Sequence, residues 1–225
     1  MIAESILNSR KQMLAEVFKG KKVLFIGVAF YHYHLEIKKR IEEYGGVVSF
    51  FPERDITIRY GIVNRLFPRY LKTYQLKHYS DILKKIKGKK FDYLLVIRGF
   101  KMPVSFVKAV KEANPDIETI MFQWDANYNS PFIDLPPDYN VLPEFDKVFS
   151  FDFKDVAENH FLKYSPTFHT DEFNKLNTEE ASHCPYDFFY FGSYLPERYA
   201  GLIKFKAFTD KHGYTLRTHF YMNYR

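Results

Sequence analysis

Several short polar groups in this chain carry side chains suited to chemistry, and each directly follows an apolar run. Gln123-Trp124-Asp125-Ala126-Asn127 sets the chain's only tryptophan beside a carboxylate and an amide. Asp125 could serve as a general base or accept sugar hydroxyls, or it could close an Asx turn that holds the loop. Arg98-Gly99 presents a guanidinium fork that fits a phosphate or carboxylate, or a salt bridge to a neighbouring loop. After Gly27 come Phe30, Tyr31, His32, Tyr33 and His34. They could stack on a sugar or base and offer hydrogen bonds, or they could cap the next helix and fill its corner. His32 and His34 lack the carboxylate or cysteine that would complete a metal site, so no metal is expected. In Ser150-Phe-Asp152-Phe-Lys-Asp155 one aspartate reads as a helix N-cap.

These groups rank as candidates because the apolar runs before them read as strands, and open α/β sheets bind ligands at the carboxyl ends of their strands. Lys22 to Gly27 is a continuous apolar run, as expected of a strand buried on both faces. Residues 33–44 have helical spacing and end at Gly45-Gly46, and Val47 to Phe51 follows as a strand. The alternation recurs: strands over 91–97, 118–123 and 145–151, and helices over 105–113 and 155–162. Residues 4–18 form a helix before the first strand. The pattern predicts an α/β fold, a Rossmann-like, doubly wound and mostly parallel sheet. A single glycine after the first strand is not the GxGxxG fingerprint, which argues against a nicotinamide enzyme.

With 46% apolar and 27% charged residues the composition is globular rather than disordered. The single cysteine, Cys184, excludes an intramolecular disulfide and offers no zinc spacing. No apolar run spans a bilayer and the N-terminus lacks a signal-peptide core, so the expected location is cytoplasmic. The net charge of +6 biases the protein towards anionic partners, but no nucleic-acid-binding module is evident.

Between the second and third strands lies a long insert, 55–90, read as helical with a break at Pro68. Its cations, from Arg59 to Lys90, alternate with Tyr60, Ile62, Phe67, Tyr70 and other apolar residues. Such a segment fits an anionic membrane surface at 59–90, or a solvated helical face over the core. After Pro166 a polar linker, 170–184, is expected between a first domain, 1–169, and a further strand–helix–strand over 185–225. That last piece is too small to hold its own core, so it either extends the first sheet or opens an incomplete second domain.

A set of motifs resembles one family of bacterial proteins. The motifs are Ala29-Phe-Tyr-His-Tyr-His-Leu-Glu-Ile37, Phe51-Pro-Glu-Arg54, Tyr93-Leu-Leu-Val-Ile-Arg98, Phe122-Gln-Trp-Asp125, Phe145-Asp-Lys-Val-Phe-Ser-Phe-Asp152 and Tyr186-Asp-Phe-Phe-Tyr-Phe-Gly192. They run in the same order along nearly the whole chain. The family comprises lipopolysaccharide and capsular polysaccharide biosynthesis proteins similar to the spore-maturation CgeB-like glycosyltransferases. The chain departs from its pattern at Ala126, where a serine is usual, and at Glu53-Arg54-Asp55, where Asp-Arg-Pro is usual. The resemblance implies a GT-B arrangement of two Rossmann-like domains, a nucleotide-sugar donor, a glycan or lipid-linked acceptor and no obligatory metal or other cofactor. Within that reading the strand-end positions make Asp125, as base or acceptor contact, and His34 the catalytic candidates, with Tyr31, His32, Arg98, Trp124 and Asn127 as substrate contacts. It also implies that the chain is truncated relative to the full enzyme. The other expectation is a non-catalytic Rossmann-like module that binds a nucleotide or a partner.

Overall fold

Strand β1 (Lys22–Gly27) is apolar after its first residue because helices cover both of its faces. Leu24 and Ile26 face one layer, Val23 and Phe25 the other, and all four are buried. The computed structural model describes residues 2–29, 32–55, 57–125, 141–168 and 185–221. These fall into two compact units, Met1–Thr170 and Asp171–Arg225.

The first unit begins with α1 (Ile2–Phe18), β1, α2 (Tyr33–Glu43) and β2 (Val47–Pro52). Helix α2 ends because Gly45 takes φ +85°, which lets Gly46 N–H reach the Ile41 carbonyl at 3.1 Å and Gly45 N–H that of Glu42 at 3.0 Å. This pair of bonds is a Schellman cap. The insert is α3 (Ile58–Leu66), a 3₁₀ turn (Pro68–Tyr70) and α4 (Leu71–Ile86), so the expected break falls at Pro68. There follow β3 (Tyr93–Ile97), α5 (Val104–Ala113), β4 (Glu118–Gln123), a 3₁₀ turn (Leu142–Glu144), β5 (Lys147–Ser150), α6 (Phe153–Glu158) and β6 (Leu162–Tyr164).

All six strands run parallel in the order β2-β1-β3-β4-β5-β6. The order reverses between β1 and β3, whose register pairs Val23 with Tyr93 and Ile26 with Val96. One layer buries Tyr79, Ile82 and Ile86 of α4 and Phe106, Val107 and Val110 of α5 against Leu24, Ile26, Leu94, Val96 and Met121. Across the sheet, Ile41 and Ile37 of α2 and Phe18 of α1 pack on Val23, Phe25 and Val48. Helices therefore cover both faces, and the fold is the expected Rossmann-like one.

Two sequence expectations shift locally. Strand β3 starts at Tyr93 rather than 91; just before it the Asp92 side chain accepts from Lys22 N–H at 2.8 Å and Lys21 Nζ at 3.0 Å. The helix expected over 155–162 closes early, at Glu158, and Leu162 enters the sheet as a three-residue edge strand. Asp152 is its N-cap, accepting from Lys154 N–H at 2.8 Å and Asp155 N–H at 3.1 Å, whereas Asp155 is buried and takes the Ser150 hydroxyl at 3.2 Å.

The amino ends of the strands are stitched by carboxylates placed just before strands. Asp146 Oδ2 accepts from Thr119 N–H at 2.8 Å and from its hydroxyl at 2.7 Å, and Asp146 N–H donates back to Thr119 Oγ1 at 3.0 Å. The second unit repeats this clasp. In it α7 (Pro196–His212) links the parallel strands β7 (Phe188–Ser193) and β8 (Leu216–Tyr221). Asp187 Oδ2 accepts from Thr215 N–H at 2.7 Å and its hydroxyl at 2.8 Å, and Asp187 N–H returns a bond to Thr215 Oγ1 at 2.8 Å. The expected linker, 170–184, lies outside the described residues. Among the described residues no helix is long and apolar enough to cross a membrane.

Candidate functional site

The reversal of strand order opens a crevice outside the carboxyl ends of β1 and β3, the place where parallel α/β sheets bind ligands. Each strand delivers a polar residue there. Strand β2 hands over to Glu53, whose N–H is held by the Gly27 carbonyl at 2.8 Å. Strand β3 hands over to Arg98, and β4 to Trp124 and Asp125.

Arg98 is the centre of this group. Its φ of +69° lies in the left-handed region, as do those of Gly99 (+71°) and Lys101 (+45°), so the chain doubles back tightly after β3. A non-glycine residue held there is strained and needs its surroundings to fix it. They do so from every side. Arg98 N–H donates to the Phe122 carbonyl at 3.0 Å, and its own carbonyl accepts from Gln123 Nε2 at 3.1 Å. Its guanidinium forms an ion pair with Glu53 and approaches Asp125 Oδ2 at 3.7 Å. Burial alone would lower the guanidinium's pKa, but the Glu53 hydrogen bond and charge, followed by Asp125, leave it raised.

Glu53 is fully buried and bound at both oxygens: Oε1 takes Arg98, and Oε2 accepts Phe100 N–H at 2.7 Å. Beneath it lies Gln75 of α4, whose amide donates to the Glu53 carbonyl and, at 3.3 Å, to that of Phe100. The Tyr79 hydroxyl adds a 3.2 Å bond to the same Phe100 carbonyl, and burial holds that phenol well above its ordinary pKa. The Phe100 ring is ringed by cations: Arg98 at 5.7 Å, Lys101 at 5.8 Å and Arg54 at 5.9 Å from its centre. Arg54 and Lys101 thus bring two further cations to the ring beside the Glu53–Arg98 pair.

Asp125 differs from Glu53 in being open, 51% exposed at its side chain against 0%. Beside it Trp124, Tyr33 and Phe168 form an aromatic group, with ring centres 6.1 Å apart for Tyr33–Trp124, 5.8 Å for Tyr33–Phe168 and 6.3 Å for Trp124–Phe168. The strand ends thus carry an open carboxylate, an aromatic group on the α2 side and cations around Phe100 on the α4 side.

The sequence candidates distribute as follows. Arg98 and Asp125 meet at 3.7 Å, and Trp124, next to Asp125 in the chain, packs on the α2 layer. Arg98 makes a salt bridge to Glu53, in the loop after β2. His32 is exposed at the α2 N-cap with φ +64°, and its carbonyl accepts Leu35 N–H at 2.8 Å. His34 turns to the α2–β2 layer, where its ring stacks on Phe50 at 4.7 Å. Its Nδ1 is buried with no hydrogen-bond partner among the described residues, and burial, then the His32 charge, lower its pKa. Tyr31 and Asn127 lie outside the described residues. Among the described residues no three His, Cys, Asp or Glu side chains gather as a metal site would require.

Glu53, Gln75 and Phe168 were not among the sequence candidates. Gln75 carried a signal: it interrupts the buried stripe Leu71, Gln75, Tyr79, Ile82, Ile86 of α4, where a polar residue must have an internal partner. Glu53 carried another, since it stands directly after β2 as Arg98 does after β3. Compared with models of known protein families and with curated proteins, the chain matches none.

Proposed function

We propose that the crevice binds an activated sugar and its acceptor, and that the chain takes part in glycosyl transfer for bacterial surface polysaccharide. The observation that carries this reading is the open Asp125 carboxylate, 3.7 Å from a locked arginine and bordered by the Tyr33–Trp124–Phe168 group. Aromatic faces suit the apolar C–H surface of a pyranose, and a carboxylate suits its hydroxyls. Arg54 and Lys101 suit the phosphates of a nucleotide-sugar donor. The motif resemblance to the lipopolysaccharide and capsule proteins supports the same substrate class.

In this reading Asp125 takes the proton from an acceptor hydroxyl as its oxygen bonds to the anomeric carbon. The bond from that carbon to the phosphate oxygen breaks, and the electron pair leaves with the nucleoside diphosphate beside Arg54 and Lys101. The test is turnover of UDP- and GDP-sugars by the wild type and by Asp125→Asn. Equal turnover removes Asp125 from the reaction.

One observation favours the second reading, a non-catalytic module binding a nucleotide: the Asp125 carboxylate faces Arg98, which engages the group that would act as base. Saturable nucleotide binding by calorimetry, with no sugar release or transfer, would establish that reading over the first.

A further inference from the structure

Helix α3 is nine residues long and buries none of its side chains. Its apolar residues nonetheless recur at every fourth position: Ile58, Ile62 and Leu66 form one stripe, which Phe67 and Tyr70 extend through the 3₁₀ turn. Ile58 is 84% exposed, and Leu66, Tyr70, Ile62 and Phe67 are exposed as well. An exposed apolar stripe of this length marks a surface that binds something.

What binds must also accept positive charge. From residue 56 to residue 80 the chain has no acidic residue, while Arg59, Arg65, Arg69, Lys72 and Lys77 fall within it. Arg65 stands two turns after Ile58, on the stripe itself, and Arg69 lies in the turn over the Tyr70 ring at 5.4 Å. Exposed apolar side chains with cations among and beside them match the chemistry of an anionic bilayer surface.

The sequence suggested such contact along the whole of 59–90, and the structure narrows it. Helix α4 spends its apolar stripe on the core, burying Leu71, Gln75, Tyr79, Ile82 and Ile86. Its last cations, Lys84 and Lys85, stand at the far end of the helix, about 20 Å from the 3₁₀ turn at 1.5 Å per residue.

We infer that α3 and the following turn, Ile58–Tyr70, form a monotopic wedge that docks the first unit on an anionic membrane surface. The wedge follows the carboxyl end of β2 by a few residues, so it leaves the end of the sheet on which the crevice lies. Docking would hold that crevice at the headgroups, where a lipid-linked acceptor presents its sugar. The inference stands apart from the sugar-transfer reading, because binding to lipid requires no turnover.

The test is co-sedimentation of the full chain with vesicles of phosphatidylcholine alone and with about one third phosphatidylglycerol, at low and high salt. The wild type is expected to bind only the anionic vesicles, and to release at high salt. Arg65→Gln with Arg69→Gln is expected to weaken partitioning about 30-fold. Ile58→Ser with Leu66→Ser is expected to weaken it at least about tenfold. Ile58 and Leu66 are exposed, so Ile58→Ser with Leu66→Ser should keep the wild-type circular dichroism and unfolding midpoint, and the arginine variant is compared at its own measured midpoint. Lys84→Gln with Lys85→Gln is the control and should bind as the wild type does. Equal losses in that control, equal binding to neutral vesicles or no binding at low salt would each overturn the inference. So would a wedge-dependent dimer, or wedge-dependent RNA binding, without lipid binding.

Discussion

The Arg98 guanidinium is paired with the Glu53 carboxylate, forty-five residues earlier in the chain and with no exposure of its own. The pair joins the ends of β2 and β3 across β1, and Asp125 meets the solvent-facing side of the same guanidinium. Removing Glu53 takes the buried partner from Arg98 and leaves the open Asp125 carboxylate, 3.7 Å away, facing its guanidinium. Glu53→Gln is therefore expected to cost about 3–5 kcal/mol in urea unfolding. Glu53→Gln with Arg98→Met should recover much of that loss, because it withdraws both charges. A double variant no more stable than the single one would show that Glu53 acts through its Phe100 bond instead.

Gly99 follows Arg98 in the left-handed region, and a Cβ there would lie 2.7 Å from Met121 Cε and 3.1 Å from Val96 Cγ1. Gly99→Ala combines backbone strain with a clash in the core. It should cost about 1–3 kcal/mol, seen as a lower urea midpoint with an unchanged slope.

Asp125 is open and bears no core contact, so Asp125→Asn should leave the unfolding midpoint in place. If the proposed function holds, turnover should fall by about 10²–10⁴-fold. Trp124→Ala should act mainly on KM, as expected for a wall that binds ground state and transition state alike. Trp124 also packs on the α2 layer, so its midpoint must be measured beside its kinetics.

Asp92 and Asp146 both have pKa values below the ordinary carboxyl range. The Lys22 backbone N–H and the Lys21 hydrogen bond lower that of Asp92; for Asp146 burial pushes upward, but Lys111 and Thr119 outweigh it. A carboxyl depressed in the folded state binds protons more readily when unfolded. Its stabilisation is complete above the ordinary value of about 3.9 and is lost as pH falls through the folded value. Asp92→Asn with Asp146→Asn should flatten the acid limb of a stability–pH curve below about pH 4 and lower the plateau at neutral pH.

His34 gives the mirror image. Its lowered pKa means the unfolded chain takes up the proton first, so stability falls as pH drops below about 6.5 and levels off beneath the folded value. His34→Phe, which keeps the stack on Phe50, should remove that slope. A wild-type slope surviving in the variant would assign it to another group.

The sheet was legible because buried parallel strands and amphipathic helices write themselves as apolar runs and periodicities, as in Lys22–Gly27 and 105–113. The strand-end rule then picked out Arg98, Trp124 and Asp125. What stayed hidden was how charges pair across the sheet. Nothing local in Pro52-Glu53-Arg54 says that Glu53 is buried and Arg54 is not; that follows only once β2 and β3 flank β1. Strand β6 was missed because three residues, one of them buried, are too few to display a period. His34 sits one helical position from Tyr33, and only the rotation of α2 sends Tyr33 to Trp124 and His34 to Phe50.

The pairing of β1 with β3 also has a cost in time. Lys22 and Asp92, which join the starts of these strands, are seventy residues apart. On a ribosome β1 and β2 can form a ribbon early, yet the other edge of β1 stays bare until the insert and β3 have been synthesised. Parallel pairings of such long range close slowly, because the loop entropy is lost before the contacts form. During that interval the bare edge Val23–Ile26, apolar on both faces, is open to mispairing. The step that creates the crevice is thus also a step at which the chain needs protection.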